Sequence, residues 1–176
     1  LPICAQAEAL VSIGDAGVID QQTLDFPNDR IVSRSIDDRI GAFVVLEALR
    51  RYAADPGEAR VFAVATTQEE IGYRGGGALV GAQRVDPAMA IVVDVTFATD
   101  HPTVEKKELG EHTIGGGPDL TRGSIVSPVA FRIIRDTAES MRIPYSLHAA
   151  GRDTSTDADG IHMARQGVAR SEEHTS

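Results

Sequence analysis

Cysteine is almost absent: Cys4 stands alone in 176 residues. That excludes an internal disulfide and a thiolate metal cluster. A chain without either suits a reducing interior, so a cytoplasmic location is expected. Basic charge is also short. Lys and Arg number 17 against 26 Asp and Glu, a net charge of −9, and no basic cluster interrupts the pattern. Nothing here could neutralise a run of phosphates, so nucleic acid is not an expected partner. A long apolar run is missing too. None reaches the roughly 18 residues of a membrane-spanning helix, and no membrane partner is expected. The chain opens on Leu1 rather than Met, so the lack of a visible signal peptide carries no weight.

What is present is an ordinary globular composition, 42% hydrophobic and 24% charged, at a length that suits one domain with a real core. Residues 1–33 read as short extended pieces broken by turns at Ala16–Asp20 and Asp25–Asp29, like the end of a β-rich module. Ile40, Phe43, Val44, Leu46, Leu49 and Tyr52 recur at helical spacing and predict a helix over 38–54. Asp37 and Asp38 sit at its start and Asp55-Pro56-Gly57 stops it. The apolar run Val61–Thr67 predicts a buried strand, a helix is expected from about 76 to 84, and Ala90–Val95 predicts a second buried strand. Residues 96–123 read as irregular and Gly-rich. A helix over 127–141 has Ser127 as its cap and Pro128 at its first position. A strand over 145–150 and a helix over 157–166, ended by Gly167, complete a βαβ-like rhythm and an α/β fold.

Glu69 and Glu70 directly follow the first buried strand, and Asp94 closes the second. Ligands bind in open α/β sheets at the carboxyl ends of strands, so these acids and Asp37 can share one rim. Like charges at close range resist joint ionisation, and a metal cation removes that objection. Two ions can share a bridging carboxylate and a bridging water, while a free carboxylate beside them moves the proton. Neighbours at a strand end point different ways, so one of Glu69 and Glu70 can ligate while the other shuttles the proton. Each acid also has a plainer reading. Asp37 and Asp38 suit helix caps, Asp94 suits a strand-end cap, and a Glu pair is commonly a solvated surface feature.

The glycine runs carry no nucleotide fingerprint. Gly75–Gly77 and Gly115-Gly116-Gly117-Pro118 read as tight turns or close backbone approach. His101 and His112 read as loop residues, and His148 and His162 as satisfied structural residues on a strand and a helix. Weak stray-metal binding is their alternative.

The segment Ser35-Ile36-Asp37-Asp38-Arg39-Ile40-Gly41 resembles the A-L-D-N-R-x-G motif of the M42 aminopeptidases, the glutamyl aminopeptidase and cellulase-M-like family. Thr66-Thr67-Gln68-Glu69-Glu70-Ile71-Gly72-Tyr73-Arg74-Gly75 resembles its T-x-Q-E-E-x-G-x-R-G motif, and Asp94-Val95-Thr96-Phe97-Ala98-Thr99-Asp100 its D-V-T-x-A-x-D motif. Gly117-Pro118 and Thr156-Asp157-Ala158 match later landmarks, in the family's order. The resemblance implies a three-layer α/β/α sandwich with a mostly parallel central sheet, of the phosphorylase/hydrolase-like zinc-peptidase type, here incomplete. It implies Glu69 as general base, Asp37 as the metal-bridging ligand, and Glu70 and Asp94 each as ligand of one metal. The cofactors would be two divalent ions, zinc or cobalt, and the activity removal of N-terminal residues from peptide substrates. The partners would be copies of the chain, in a homo-oligomer from dimer to dodecamer.

On that resemblance residues 1–33 are the end of an inserted β-rich dimerisation domain, 34–169 a partial catalytic domain, and 170–176 a tail. Arg170–Ser176 matches the translation of a common sequencing adapter and is expected to be non-native. The family's two ligand histidines, from H-x-D and R-Y-x-H motifs, have no trusted match, so the chain alone is expected to be inactive. The alternatives are a related deacylase or carboxypeptidase, a metal-free glycosidase using paired carboxylates, and a non-catalytic fragment.

Overall fold

A computed structural model describes residues 2–72 and 76–175, with only the backbone for Pro2 and Ile3. Tyr73, Arg74 and Gly75 of the second motif lie outside the described residues, as do Leu1 and Ser176. The chain divides into two units, Leu1–Ser35 and Ile36–Ser176. The first holds a helix, α1 (Pro2–Leu10), and an antiparallel hairpin of β1 (Leu24–Phe26) with β2 (Arg30–Val32). The turn expected at Asp25–Asp29 forms, with Asn28 and Asp29 at φ 65 and 56, a conformation these residues tolerate. Helix α1 corrects the extended reading of the first residues: Ala5, Ala7 and Ala9 are strong helix formers.

In the second unit α2 spans Ile36–Ala54, but Asp37 and Asp38 depart from helical geometry, and regular helix begins after them. Helix α3 is Gly76–Val85, followed by β3 (Met89–Val95), the short α4 (Lys106–Leu109) and β4 (Asp119–Gly123). Helix α5 (Pro128–Met141) starts as expected: the Ser127 hydroxyl accepts from the Ala130 N–H at 3.3 Å. Then come β5 (Ser146–Ala150), α6 (Asp157–His162) and β6 (Ala169–Thr175). The strands form one sheet in the order β3-β6-β4-β5, an α/β arrangement with a mostly parallel sheet. The pairs β3–β6 and β4–β5 are parallel, and β4–β6 is antiparallel. Helix α2 packs on β3, α5 on β4 and β6, and α6 on β6, β3 and α3. One core cluster joins Leu120, Val126 and Phe131 with Ile134 and Tyr145; another joins Ala82, Ala164 and Val168 with Leu79, Ala90 and Ile161. No helix among the described residues is long and apolar enough to cross a membrane.

In the second unit other expectations change as well. No strand forms over 61–67, where Val61, Phe62 and Val64 are exposed. An apolar run becomes a strand only beside a partner, and no described strand pairs with this one. Its end is pinned instead by the Gly77 N–H donating to Thr67 O at 2.9 Å and by the Thr66 hydroxyl donating to Asp157. Residues 119–123, read as irregular, form β4. Helix α6 ends at His162, four residues early.

Residues 170–175, read above as part of the tail, lie within β6, an inner strand. Inner strands of such sheets are ordinarily apolar; this one is Ala-Arg-Ser-Glu-Glu-His-Thr. Arg170 and Glu172 are fully buried and pair at 3.0 Å, Arg170 reaches Asp159 at 3.2 Å, and the Thr156 hydroxyl donates to Glu172 at 2.6 Å. Such pairing is what makes buried charge tolerable. Among the described residues no cation pairs with Glu173, and burial pushes its carboxyl from the ordinary 4.5 up to about 8.

Candidate metal centre

Asp37 reaches the centre because the chain turns sharply where α2 begins, and Asp94 because β3 ends there. Together with Asp38 they place ligand-capable oxygens within 4.8 Å of one another. Asp94 Oδ1 accepts from the Val95 N–H at 2.7 Å, and Asp38 Oδ1 accepts from the Gly41 N–H at 2.8 Å. Gly41 has no side chain because a Cβ there would strike the Asp38 carboxylate. Asp38 stands at the Asn position of the D-N-R-x-G motif, so this centre carries one acid more than the motif supplies. Asp38 caps α2 as its position predicts and in addition joins the acids of the centre, a role for which its neighbour in the motif is the available signal.

Glu69 and Glu70 follow the unpaired segment after 61–67 and lie within electrostatic reach of the trio. Burial raises Glu69 from 4.5 to about 7, reinforced by the charges of Asp94, Asp157, Glu70 and Asp37. Glu70 is raised by burial, by Asp37 and Asp94, and by a hydrogen bond with Asp37. Burial also raises Asp94, helped by Asp37 and Glu172 and opposed by the Val95 N–H and by His174. Asp38 rises to about 6, again chiefly through burial, with Asp94, Asp37 and Glu70 adding to it. Every one of these shifts points the same way: the pocket holds more negative charge than it can stabilise. A closely spaced, all-oxygen donor set of this kind fits a divalent cation, which would relieve the mutual repulsion.

Asp157, a motif landmark to which the resemblance gives no role, stands at the start of α6. It accepts from the Thr66 hydroxyl and adds to the field on Glu69. His174 pairs in register with Asp94 across β3 and β6, and its Nδ1 lies 2.9 Å from Val95 O. It is not one of the trio. His101 is an exposed loop residue, as expected, with Nδ1 2.9 Å from Pro102 O.

The model of one family, M42 glutamyl aminopeptidase, matches residues 4–171. The lysyl aminopeptidase of Pyrococcus furiosus is 33% identical over 157 residues, 89% of this chain and 43% of that protein. Among solved structures, a TET aminopeptidase from the marine sediment archaeon Thaumarchaeota archaeon SCGC AB-539-E09 is 34% identical. It aligns with a TM-score of 0.75 over 86% of this chain and 43% of its own. The aminopeptidase APDkam598 of Desulfurococcus kamchatkensis is 31% identical, with a TM-score of 0.78 over 97% of this chain and 47% of its own. The chain thus spans less than half the length of each of these relatives.

Proposed function

Because the chain belongs to the M42 glutamyl aminopeptidase family, we propose that it carries the carboxylate half of a dinuclear, metal-dependent aminopeptidase acting on peptide N-termini. The observation behind this is the convergence of Asp37, Asp38 and Asp94 within 4.8 Å, in the field of two glutamates whose pKa values are both raised. Asp37 would bridge the ions, Glu70 would hold one and Asp94 the other. Zinc or cobalt, when bound, would supply Lewis-acid polarisation of the scissile carbonyl and an acidified water. Glu69 is left to move the proton. Its carboxyl is given no ion to hold, so it can take up a proton and return it to the departing amine, as a general base does; the value near 7 belongs to the metal-free centre. The surrounding acids also favour a protonated substrate amine, which selects free N-termini.

The two histidines implied by the family motifs are not matched in this sequence. The chain alone is therefore proposed to hold ions weakly and to turn over no peptide. The hairpin β1–β2 supports reading residues 1–33 as the return from an inserted dimerisation domain, and a homo-oligomeric parent goes with that reading. The polar composition of β6 supports a non-native origin for 170–176.

The experiment is a panel of aminoacyl-anilides with zinc or cobalt, run on this chain and on the complete reading frame. The complete protein should cleave the anilides, and Glu69→Gln should lower its kcat by about 10²- to 10⁴-fold. The isolated chain should not cleave them. An unchanged kcat in Glu69→Gln would sink the assignment of the base.

A further inference from the structure

We propose that His112, Asp119 and His148 form a second metal site, for a borderline divalent ion such as zinc, sharing no residue with the carboxylate centre. The sheet register assembles it. Asp119 pairs with Ser146 and Thr121 with His148 across β4 and β5, so alternation puts all four side chains on one face. His112 arrives from the loop before β4, and its backbone is clamped to the buried Thr99. The Thr99 N–H donates to His112 O at 2.7 Å, and the His112 N–H donates to Thr99 Oγ1 at 2.9 Å. Gly110, at φ 93, leaves room for the ring, since a Cβ there would press on His112 Nε2. The ligand-capable atoms of His112, Asp119 and His148 all lie within 4.8 Å of one another.

The chemistry of the cluster asks for a cation. Asp119 is 1% exposed, and its Oδ2 has no hydrogen-bond partner among the described residues. His112 Nδ1 lies 3.4 Å from it, while the other oxygen, Oδ1, accepts from the Ser146 hydroxyl at 3.3 Å. On the other side of that ring Nε2 lies 2.9 Å from Leu109 O, a carbonyl that can only accept, so Nε2 carries the hydrogen. In the neutral ring Nδ1 is then a lone pair, pointing toward Ser146 Oγ at 2.9 Å and toward the unpartnered carboxylate oxygen. The Ser146 hydroxyl has one hydrogen to give, to Nδ1 or to Asp119 Oδ1 at 3.3 Å, and neither choice supplies Oδ2, so the buried carboxylate still calls for a positive species beside it, a proton or a metal.

The distance favours the metal. Charge-assisted N–H···O bonds run about 2.7–2.9 Å, shorter than 3.4 Å. A tetrahedral ion with bonds of about 2.0–2.1 Å has ligand–ligand edges of about 3.4 Å. His148 supplies the second imidazole: its ring lies 6.0 Å from that of His112, and it makes no side-chain hydrogen bond among the described residues. Two imidazoles and one carboxylate suit a borderline ion better than magnesium or calcium. Leu109 O plays the outer part, fixing the tautomer and ring of a ligand histidine.

The test is a titration of the whole chain with Zn²⁺ and Co²⁺ after Asp37→Asn and Asp94→Asn have removed the carboxylate centre. One equivalent of Co²⁺ should still bind, with the intense visible bands of a four-coordinate ion. Zn²⁺ should shift the imidazole ¹⁵N signals of His112 and His148 together. His148→Ala should weaken binding by about tenfold or more with an unchanged circular dichroism spectrum. Should that variant misfold, His148→Gln serves in its place. The proposal fails if His148→Ala or His148→Gln binds Zn²⁺ as the parent does. It fails equally if His112 holds protons on both nitrogens at pH 8 and no metal moves its signals. The cluster would then be a buried imidazolium–carboxylate pair.

Discussion

Adding zinc to the chain at pH 6.5 should expel protons from the carboxylate centre, and the number expelled should fall as the pH rises. Glu69, held at about 7, and Asp38, at about 6, carry protons there without metal. At pH 6.5 those values leave roughly three-quarters of a proton on Glu69 and roughly a quarter on Asp38, about one in total. By pH 8.5 the same two groups hold less than about 0.1. A divalent cation among the acids lowers all their pKa values and displaces what remains. Isothermal titration calorimetry in buffers of different ionisation enthalpy counts the protons directly. The Glu69→Gln variant isolates the main contributor, and it should release about three-quarters of a proton fewer at pH 6.5. Ionisation of a metal-bound water has the opposite trend, since it grows as pH rises toward about 7. A proton count that Glu69→Gln leaves unchanged would refute the assigned electrostatics of the centre.

Glu173→Gln removes an acid whose folded pKa, about 8, lies above its ordinary 4.5. The unfolded chain loses this proton first, so the contribution to stability is intact below pH 4.5 and is lost as pH rises toward 8. The variant should therefore be more stable by up to about 3 kcal/mol at pH 7 and equal near pH 4, as read from urea denaturation; a gain that ignores pH contradicts the cause assigned. Gly117→Ala should destabilise by roughly 2–4 kcal/mol, because φ is 99 and a Cβ would collide with the Pro144 carbonyl. Thermal denaturation checks it, and an unaltered Tm would mean that the turn can shift. Ser127→Ala removes the cap of α5 and should cost about 1 kcal/mol in the same assay.

Much of the second unit was legible because its signals are local. The spacing of Ile40, Val44 and Leu49 predicts α2, Ser127-Pro128 marks the start of α5, and the run Ile91-Val92-Val93 marks β3. Caps and periodicity act within a few residues, so the sequence alone carries them. Chain order also suggested Asp37, Glu69, Glu70 and Asp94 as one rim, and the structure brings them within one another's field, although the strand expected before Glu69 does not form.

Pairing and proximity across the chain were decided by the tertiary structure. The run 61–67 has the composition of a strand but no ladder partner among the described residues, while the less apolar Asp119–Gly123 has partners on both sides and becomes β4. Asp38 is both the cap its position suggests, accepting from the Gly41 N–H, and one acid of a trio, because the chain bends at the start of α2 and Asp94 lies beside it. His112, Asp119 and His148 show the limit most clearly: read singly they were loop and strand residues, and only the β4–β5 register brings two of them under the third. A period of two tells which residues share a face of one strand, but not which strand will lie alongside. That choice depends on the burial and hydrogen bonding of the whole sheet at once.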